Sequence, residues 1–219
     1  SAGNSCVEQV RHAGTLFLTK GGQTGAIRGT LTINGGGVVQ LGASNATGYD
    51  ANNRVKVLNI NEGGLLDDVV NGDNLWAITI NLTGGTMQSN GGVASATAAQ
   101  IFTLGGGSSV NTLASATTSV IAGRVNVRDG NPSDQLVFNV ADGAATTDLL
   151  LSAALTQSGG SGAGTNHAIV KNGAGTMEIN NILNTYTGGT IVNAGRLLLT
   201  AGGPTGALKG TVTVNAGAT

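Results

Sequence analysis

From Gly175 to Asn215 the chain reads GTMEINNILNTYTGGTIVNAGRLLLTAGGPTGALKGTVTVN. Strand-like segments start at Gly175 (GTMEIN) and Gly195 (GRLLLT), and a second series starts at Gly189 (GTIVN) and Gly210 (GTVTVN). The two interleaved series share one spacing and describe coils of about 20 residues, each holding two or three short strands. That period is too long for hexapeptide coils and too short for a pair of sandwich hairpins. Stacked coils pair their strands in parallel, and each inner strand edge is satisfied by a neighbour. The expectation is an all-β fold, a right-handed parallel β-helix running as a single segment over 1–219, with Val, Leu and Ile turned inward. Asn34, Asn193 and Asn215 recur at the ends of equivalent strands, where stacked side-chain amides are expected to hydrogen-bond from coil to coil as a ladder.

The same pattern opens the chain. Val10 to Gly37, VRHAGTLFLTKGGQTGAIRGTLTINGGG, aligns without a gap to Ile191 to Ala218, IVNAGRLLLTAGGPTGALKGTVTVNAGA, with 15 of 28 positions identical. Most differences are apolar swaps, such as Ile27 for Leu208 and Leu31 for Val212, or the cation swap Arg28 for Lys209. Copies at 10–37 and 191–218 fit one full period of a tandem array plus an overlap, or one irregular solenoid that uses its motif twice. The chain reads as an excerpt of a longer repetitive protein. Between the copies lie short β-type runs at Arg54–Ile60, Leu75–Leu82, Ala99–Gly105, Gly123–Asp129, Gln135–Asp142 and Asp148–Leu155, each read as one strand with a buried face. Asn-Gly pairs at Asn34, Asn71, Asn90 and Asn172 supply turns with positive φ.

Composition narrows the function. Charged residues make up 10% of the chain and Gly contributes 38 residues, which favours strands and turns over helices, where Gly is costly. Four Lys and six Arg are scattered, and the net charge is -1, so no basic stripe exists for a nucleic-acid backbone. No apolar run reaches the roughly 18 residues of a membrane span, and the N-terminal SAGNSCVEQV lacks a signal-peptide profile. No direct membrane insertion of this segment is therefore expected. A single cysteine, Cys6, excludes an intrachain disulfide. A nearly thiol-free chain fits an exported protein.

Ile169 to Thr200, IVKNGAGTMEINNILNTYTGGTIVNAGRLLLT, resembles the autotransporter-associated β-strand repeat, whose pattern runs roughly KxGxGTLTLxGxNTYTGGTTVNAGTLxL. Lys171, Gly173, Gly175, Thr176, Asn184, Thr185, Tyr186, Thr187, Gly188, Gly189, Thr190, Asn193, Ala194, Gly195 and Leu197 stand at matching positions. A shorter match covers His12 to Thr19, where the upstream Tyr-Thr-Gly-Gly signature is lost, and Val38 to Ala168 shows no close match. The resemblance implies a β-helical passenger segment of an outer-membrane autotransporter, or a similar large surface protein of a Gram-negative-type bacterium. Its signature is structural and brings no catalytic residue, with Tyr186 expected to be a packing residue.

Chemistry has few candidates. Parallel β-helices also house polysaccharide lyases, which would need several acids around a cation and a base in the same groove. Only Asp67, Asp68 and Asp73 cluster, in GGLLDDVVNGDN. They read as a solvated loop with a weak claim to a cation site, so no metal is assigned and no cofactor is expected. Asp129, Asp134, Asp142 and Asp148 stand at strand ends, where Asp caps turns. His12 and His167 read as turn or surface residues. The strings GGGSS (from Gly105) and GGSGAG (from Gly159) lack the Lys-Ser/Thr of a phosphate loop, and no nucleophile elbow is present. Trp76, Tyr49 and Tyr186 are candidates for stacking on sugar rings, with packing the favoured reading of Tyr186 and Trp76 also a core candidate in its alternating strand.

These readings predict a non-enzymatic structural and adhesive segment. It forms a stiff rod whose coils partner adjacent repeats of the same chain, and whose polar faces serve adhesion to glycans or host and cell surfaces, or self-association into fibres or surface layers. The alternatives are a polysaccharide lyase or hydrolase using the Asp67, Asp68 and Asp73 cluster, and a glycan-binding module using Trp76. The location expected is extracellular or cell-surface, associated with an outer membrane.

Overall fold

A computed structural model describes residues 7–10, 14–70, 72–105, 107–128, 135–158 and 166–219. Cys6, His12, Asn71, Asp129, Asp134 and the GGSGAG string lie outside the described residues.

Successive coils follow one another along the chain. The first two coils hold β1 (Val7–Val10) and β2 (Gly14–Leu18), then β3 (Gly29–Ile33) and β4 (Gly37–Leu41). Four three-strand coils follow: β5 (Val55–Asn61), β6 (Leu65–Asp68) and β7 (Asp73–Trp76); β8 (Thr79–Thr83), β9 (Thr86–Ser89) and β10 (Phe102–Gly105); β11 (Ser109–Thr112), β12 (Ser119–Ala122) and β13 (Arg124–Arg128); β14 (Gln135–Val140), β15 (Leu149–Leu151) and β16 (Ala154–Ser158). The last coils return to two strands, β17 (Ala168–Asn172) with β18 (Thr176–Ile179) and β19 (Thr190–Val192) with β20 (Arg196–Leu199), before β21 (Val212–Val214).

Strands stack only on their counterparts one coil away. The order β1-β3-β5-β8-β11-β14-β17-β19-β21 forms a nine-stranded sheet, β2-β4-β6-β9-β12-β15-β18-β20 an eight-stranded one, and β7-β10-β13-β16 a four-stranded third face. All strand pairs are parallel. The protein is an all-β parallel β-helix, two-faced at its ends and three-faced in the middle.

Coil length varies more than the sequence period predicts. Near the C-terminal end the step from one coil to the next is short, with Val170 paired to Ile191 and Thr190 to Val212. In the middle the step is nearly half as long again, with Ile80 paired to Val110 and Val137 to Val170. The uniform coil expected from the sequence therefore fails in the middle, although the step from β5 to β8, with Val57 paired to Thr79, is as short as those at the C-terminal end. The added length lies in the connections, above all residues 90–101 between β9 and β10 and residues 141–148 between β14 and β15. Separately, Leu75–Leu82 and Asp148–Leu155, each expected as one strand, are each two strands meeting at a corner. At the first corner Ala77 takes a φ of +48°, a conformation that costs an L-residue roughly 1–2 kcal/mol and is held by its N–H donating to the Gly105 carbonyl at 2.9 Å. The corner shifts the alternation, so Leu75 points inward before it and Ile78, Ile80 and Leu82 point inward after it.

Inward columns run the length of the stack. Leu31, Leu58, Ile80, Val110 and Phe138 occupy one column of the nine-stranded sheet, every member at most 1% exposed. Met87, Ile121, Leu151 and Ile179 form the matching column on the eight-stranded sheet, and Phe102, Val125 and Leu155 that on the third face. The inward residues of the three sheets form one continuous core cluster, which a lone coil, open above and below, could not bury.

One outward column is an amide ladder. Nδ2 of Asn81 donates to Oδ1 of Asn59 at 2.9 Å, and the series continues through Asn111 (3.1 Å), Asn139 (2.8 Å), Asn172 (3.1 Å), Asn193 (2.8 Å) and Asn215 (2.6 Å). The repeat alignment sets Asn34 opposite Asn215, but the ladder reaches Thr32 instead, which accepts from Asn59 at 3.1 Å. Asn34 lies two positions further along and accepts from Asn61 at 2.7 Å. Each inner amide donates to one neighbour and accepts from the other, so one substitution breaks two bonds. Asn139→Ala is expected to cost about 1–2 kcal/mol in urea unfolding, with amide exchange accelerated in β11, β14 and β17 and unchanged in β3 and β5. Equal acceleration throughout would show that the ladder does not act locally.

Candidate functional site

The repeat residues near the C-terminal end work as coil-to-coil fasteners. Asn184 accepts the N–H of Leu155 from the preceding coil at 2.7 Å and donates to the carbonyl of Ala207 in the following one at 2.6 Å. Thr185 adds a backbone bond to the Leu155 carbonyl at 2.8 Å. The segment thus continues the third face beyond β16 with a side chain bridging where ladder bonds would otherwise run. Tyr186 is fully buried, with its hydroxyl 2.8 Å from Oγ1 of Thr190 and accepting the N–H of Lys209 at 3.4 Å. Burial pushes the phenol pKa up.

Two of the motif glycines show why the pattern is glycine-rich. A Cβ on Gly195, whose φ is +65°, would lie 2.5 Å from the Gly173 carbonyl oxygen and 2.6 Å from the Ala174 carbonyl carbon, and one on Gly175 would overlap the Ala141 carbonyl. At these two corners the chain packs backbone on backbone, and a side chain there would push the coils apart. Gly188 and Gly189 meet the same constraint against His167 and Thr211.

Lys171 is a charged member of the core. It stands in the column of Val110 and Phe138 at 2% exposure, and its Nζ donates to the carbonyls of Gly173 (2.7 Å), Ala194 (2.8 Å) and Asn172 (3.3 Å). Burial pulls its pKa down to about 8, partly opposed by the charge of Asp148. The ammonium satisfies corner carbonyls of two successive coils at once. Asp148 acts on the other side of the same corners, accepting the N–H groups of Gly143 (2.8 Å) and Thr176 (2.7 Å).

The acid cluster differs from its sequence reading. Asp67, Asp68 and Asp73 are not in a solvated loop: the first two end β6 and the third begins β7. Asp68 and Asp73 are 2% and 1% exposed. Asp68 accepts the N–H of Ile101 at 2.9 Å and of Val70 at 3.4 Å; Asp73 accepts from the N–H of Thr47 at 3.3 Å and from its hydroxyl. Burial raises both pKa values, that of Asp73 to about 6, despite these bonds. The alternation of β6 sends Asp67 to the opposite face from Asp68. Among the described residues no three His, Cys, Asp or Glu side chains group as metal ligands. His167, expected in a turn or at the surface, is fully buried beside Gly188.

Trp76 is not a core residue. It follows inward Leu75 and points outward from the third face, half-buried. It lines a groove of about 390 Å³ with Asn45, Tyr49, Asn74 and Arg128. The side chains of Asn45 and Asn74 are joined, Oδ1 of Asn45 accepting both Nδ2 (2.7 Å) and the backbone N–H (3.1 Å) of Asn74. Sequence reasoning singles out the two aromatics and misses Asn45, Asn74 and Arg128. No spacing rule links them, because successive coils bring them together.

A stack of parallel coils fastened by buried motif residues defines a β-helical repeat segment. Residues 169–199 match the family model of the passenger-associated-transport-repeat, so the chain carries an autotransporter passenger repeat. Such a repeat belongs to secreted or cell-surface bacterial proteins. The chain matches no curated protein and no solved structure.

Proposed function

We propose that this segment is a non-enzymatic, load-carrying rod of an exported passenger, projecting from the outer surface of a Gram-negative-type bacterium and used for adhesion or self-association. The observation that carries the reading is the coil-on-coil stack, in which the nine-stranded sheet runs from β1 to β21 and its asparagine ladder from Asn59 to Asn215, with hydrogen bonds along the stacking direction. Such a stack resists bending because each deformation strains ladder bonds on one of its faces. Outward columns of Asn, Thr and Ser with a net charge of only -1 favour lateral packing of rods and many weak polar contacts with glycans, which add through multivalency.

The experiment is an immunoblot of source cells with antibody to this segment, before and after mild protease shaving. A band far above 21.4 kDa that disappears on shaving is expected. A stable band of that mass in the medium would overturn the rod reading in favour of a free secreted protein.

A further inference from the structure

The outward face of the four-stranded sheet brings aromatic, cationic and amide side chains together in one groove. Its register places Trp76 of β7 beside Gly105 of β10. Continuing the Leu104–Val127 pairing by one position sets Arg128 of β13 on the far side of Gly105. An indole and a guanidinium thus flank a residue with no side chain, two strand spacings or about 10 Å apart. Asn74 beside them supplies an amide to the groove, whereas Thr103, Asn126 and Thr156 in the same row are buried, Asn126 and Thr156 being bonded within the protein. Tyr49, 38% exposed, and Asn45 close the end of the groove toward the preceding coil.

We propose that this notch binds a pyranose ring of a polysaccharide, stacked on Trp76 above Gly105, with its hydroxyl or carboxylate groups bonded by Arg128, Asn74 and Asn45. The warrant is the combination of surfaces. A sugar ring offers one apolar C–H face and a rim of hydroxyls, and the groove offers a rigid aromatic wall with convergent amide and guanidinium groups within a volume of ligand-site size. The guanidinium has five N–H donors, so a bond to another protein group leaves Arg128 able to contact a ligand. The Asn45–Asn74 bonds fix the amides before a ligand arrives, which lowers the ordering cost of binding. A flat neutral surface would show none of these placements.

This inference deepens the adhesive reading by naming a ligand class and a site, and its failure is separable, because the rod reading is judged by surface shaving and this one by glycan binding. The test applies the purified full chain to an array of immobilised pyranose oligosaccharides, neutral, N-acetylated and uronate-bearing. The best-bound oligosaccharide is then titrated while the emission of the chain's single tryptophan is followed. Binding is expected with a saturable change in Trp76 emission. Trp76→Ala is expected to weaken retention on that oligosaccharide about tenfold, Tyr49→Ala less, and Trp76→Phe to restore most of it, with unchanged circular dichroism. Capture on no spot, binding with no emission change, or undiminished binding by a folded Trp76→Ala variant would overturn the proposal.

Discussion

Replacing Tyr186 by alanine is expected to lower the stability of the C-terminal coils by about 3–5 kcal/mol, the range for deleting a large aromatic from a packed interior. Tyr186 is fully buried within the core cluster, and it stands on the segment that replaces a regular third-face strand. Its loss leaves a cavity where Asn184 and Thr185 tie two coils together. Tyr186→Phe keeps the volume and removes only the hydroxyl bonded to Thr190 and Lys209, for which about 1 kcal/mol is expected. Strands pair only with those of adjacent coils, so the damage is expected to be local. Hydrogen exchange should show protection lost in β17 to β20 and kept in β3 to β8. Equal effects of the phenylalanine and alanine variants would assign the role of Tyr186 to its hydroxyl and not to packing.

Neutralising Asp73 is expected to stabilise the protein at neutral pH and to do nothing in acid. The folded-state pKa of about 6 lies above the ordinary 3.8, so the folded chain holds this proton more tightly than the unfolded one. The stabilising contribution is therefore complete below about pH 3.8 and is lost as pH rises through about 6. Two pKa units correspond to at most about 3 kcal/mol. Asp73→Asn retains an acceptor for the Thr47 N–H and gains a donor for its hydroxyl. Urea midpoints of the two proteins should coincide at pH 3.5 and diverge by pH 7.5, with the variant the more stable. A variant less stable at both values would show that the charged bonds to Thr47 outweigh the cost of burying the carboxylate. Asp68, also raised by burial, shifts with the same sign and leaves the comparison intact.

Much of this architecture is legible in local pattern. The Gly175 to Asn215 spacing reveals coils because those two-strand coils are the most regular, with Val170 paired to Ile191 and Thr190 to Val212 at nearly equal steps. The same spacing misleads in the middle, where long connections such as residues 90–101 and 141–148 lengthen the coil. Leu75–Leu82 and Asp148–Leu155 look like continuous strands because both halves are apolar on alternate positions. What separates the halves is a corner in each run, and at Ala77 a positive φ that no residue type announces. Counting back from Ile78 therefore sends Trp76 to the interior, across a change of phase that reverses its direction. Asn34 is misplaced for a related reason: the repeat alignment carries no information about the register of the coils between its two copies.

The sequence alone determined the inward alternation, the glycine corners, the repeat at 169–199 and the parallel stacking they require, because each depends on residues within one coil of another. Only the tertiary structure decided which acids were buried, that Lys171 caps corner carbonyls inside the core, and that Trp76, Asn74, Asn45 and Arg128 share one groove. Those relations join residues from successive coils. Their proximity is set by stacking register, which is the sum of every corner and loop between them, and no local period encodes that sum.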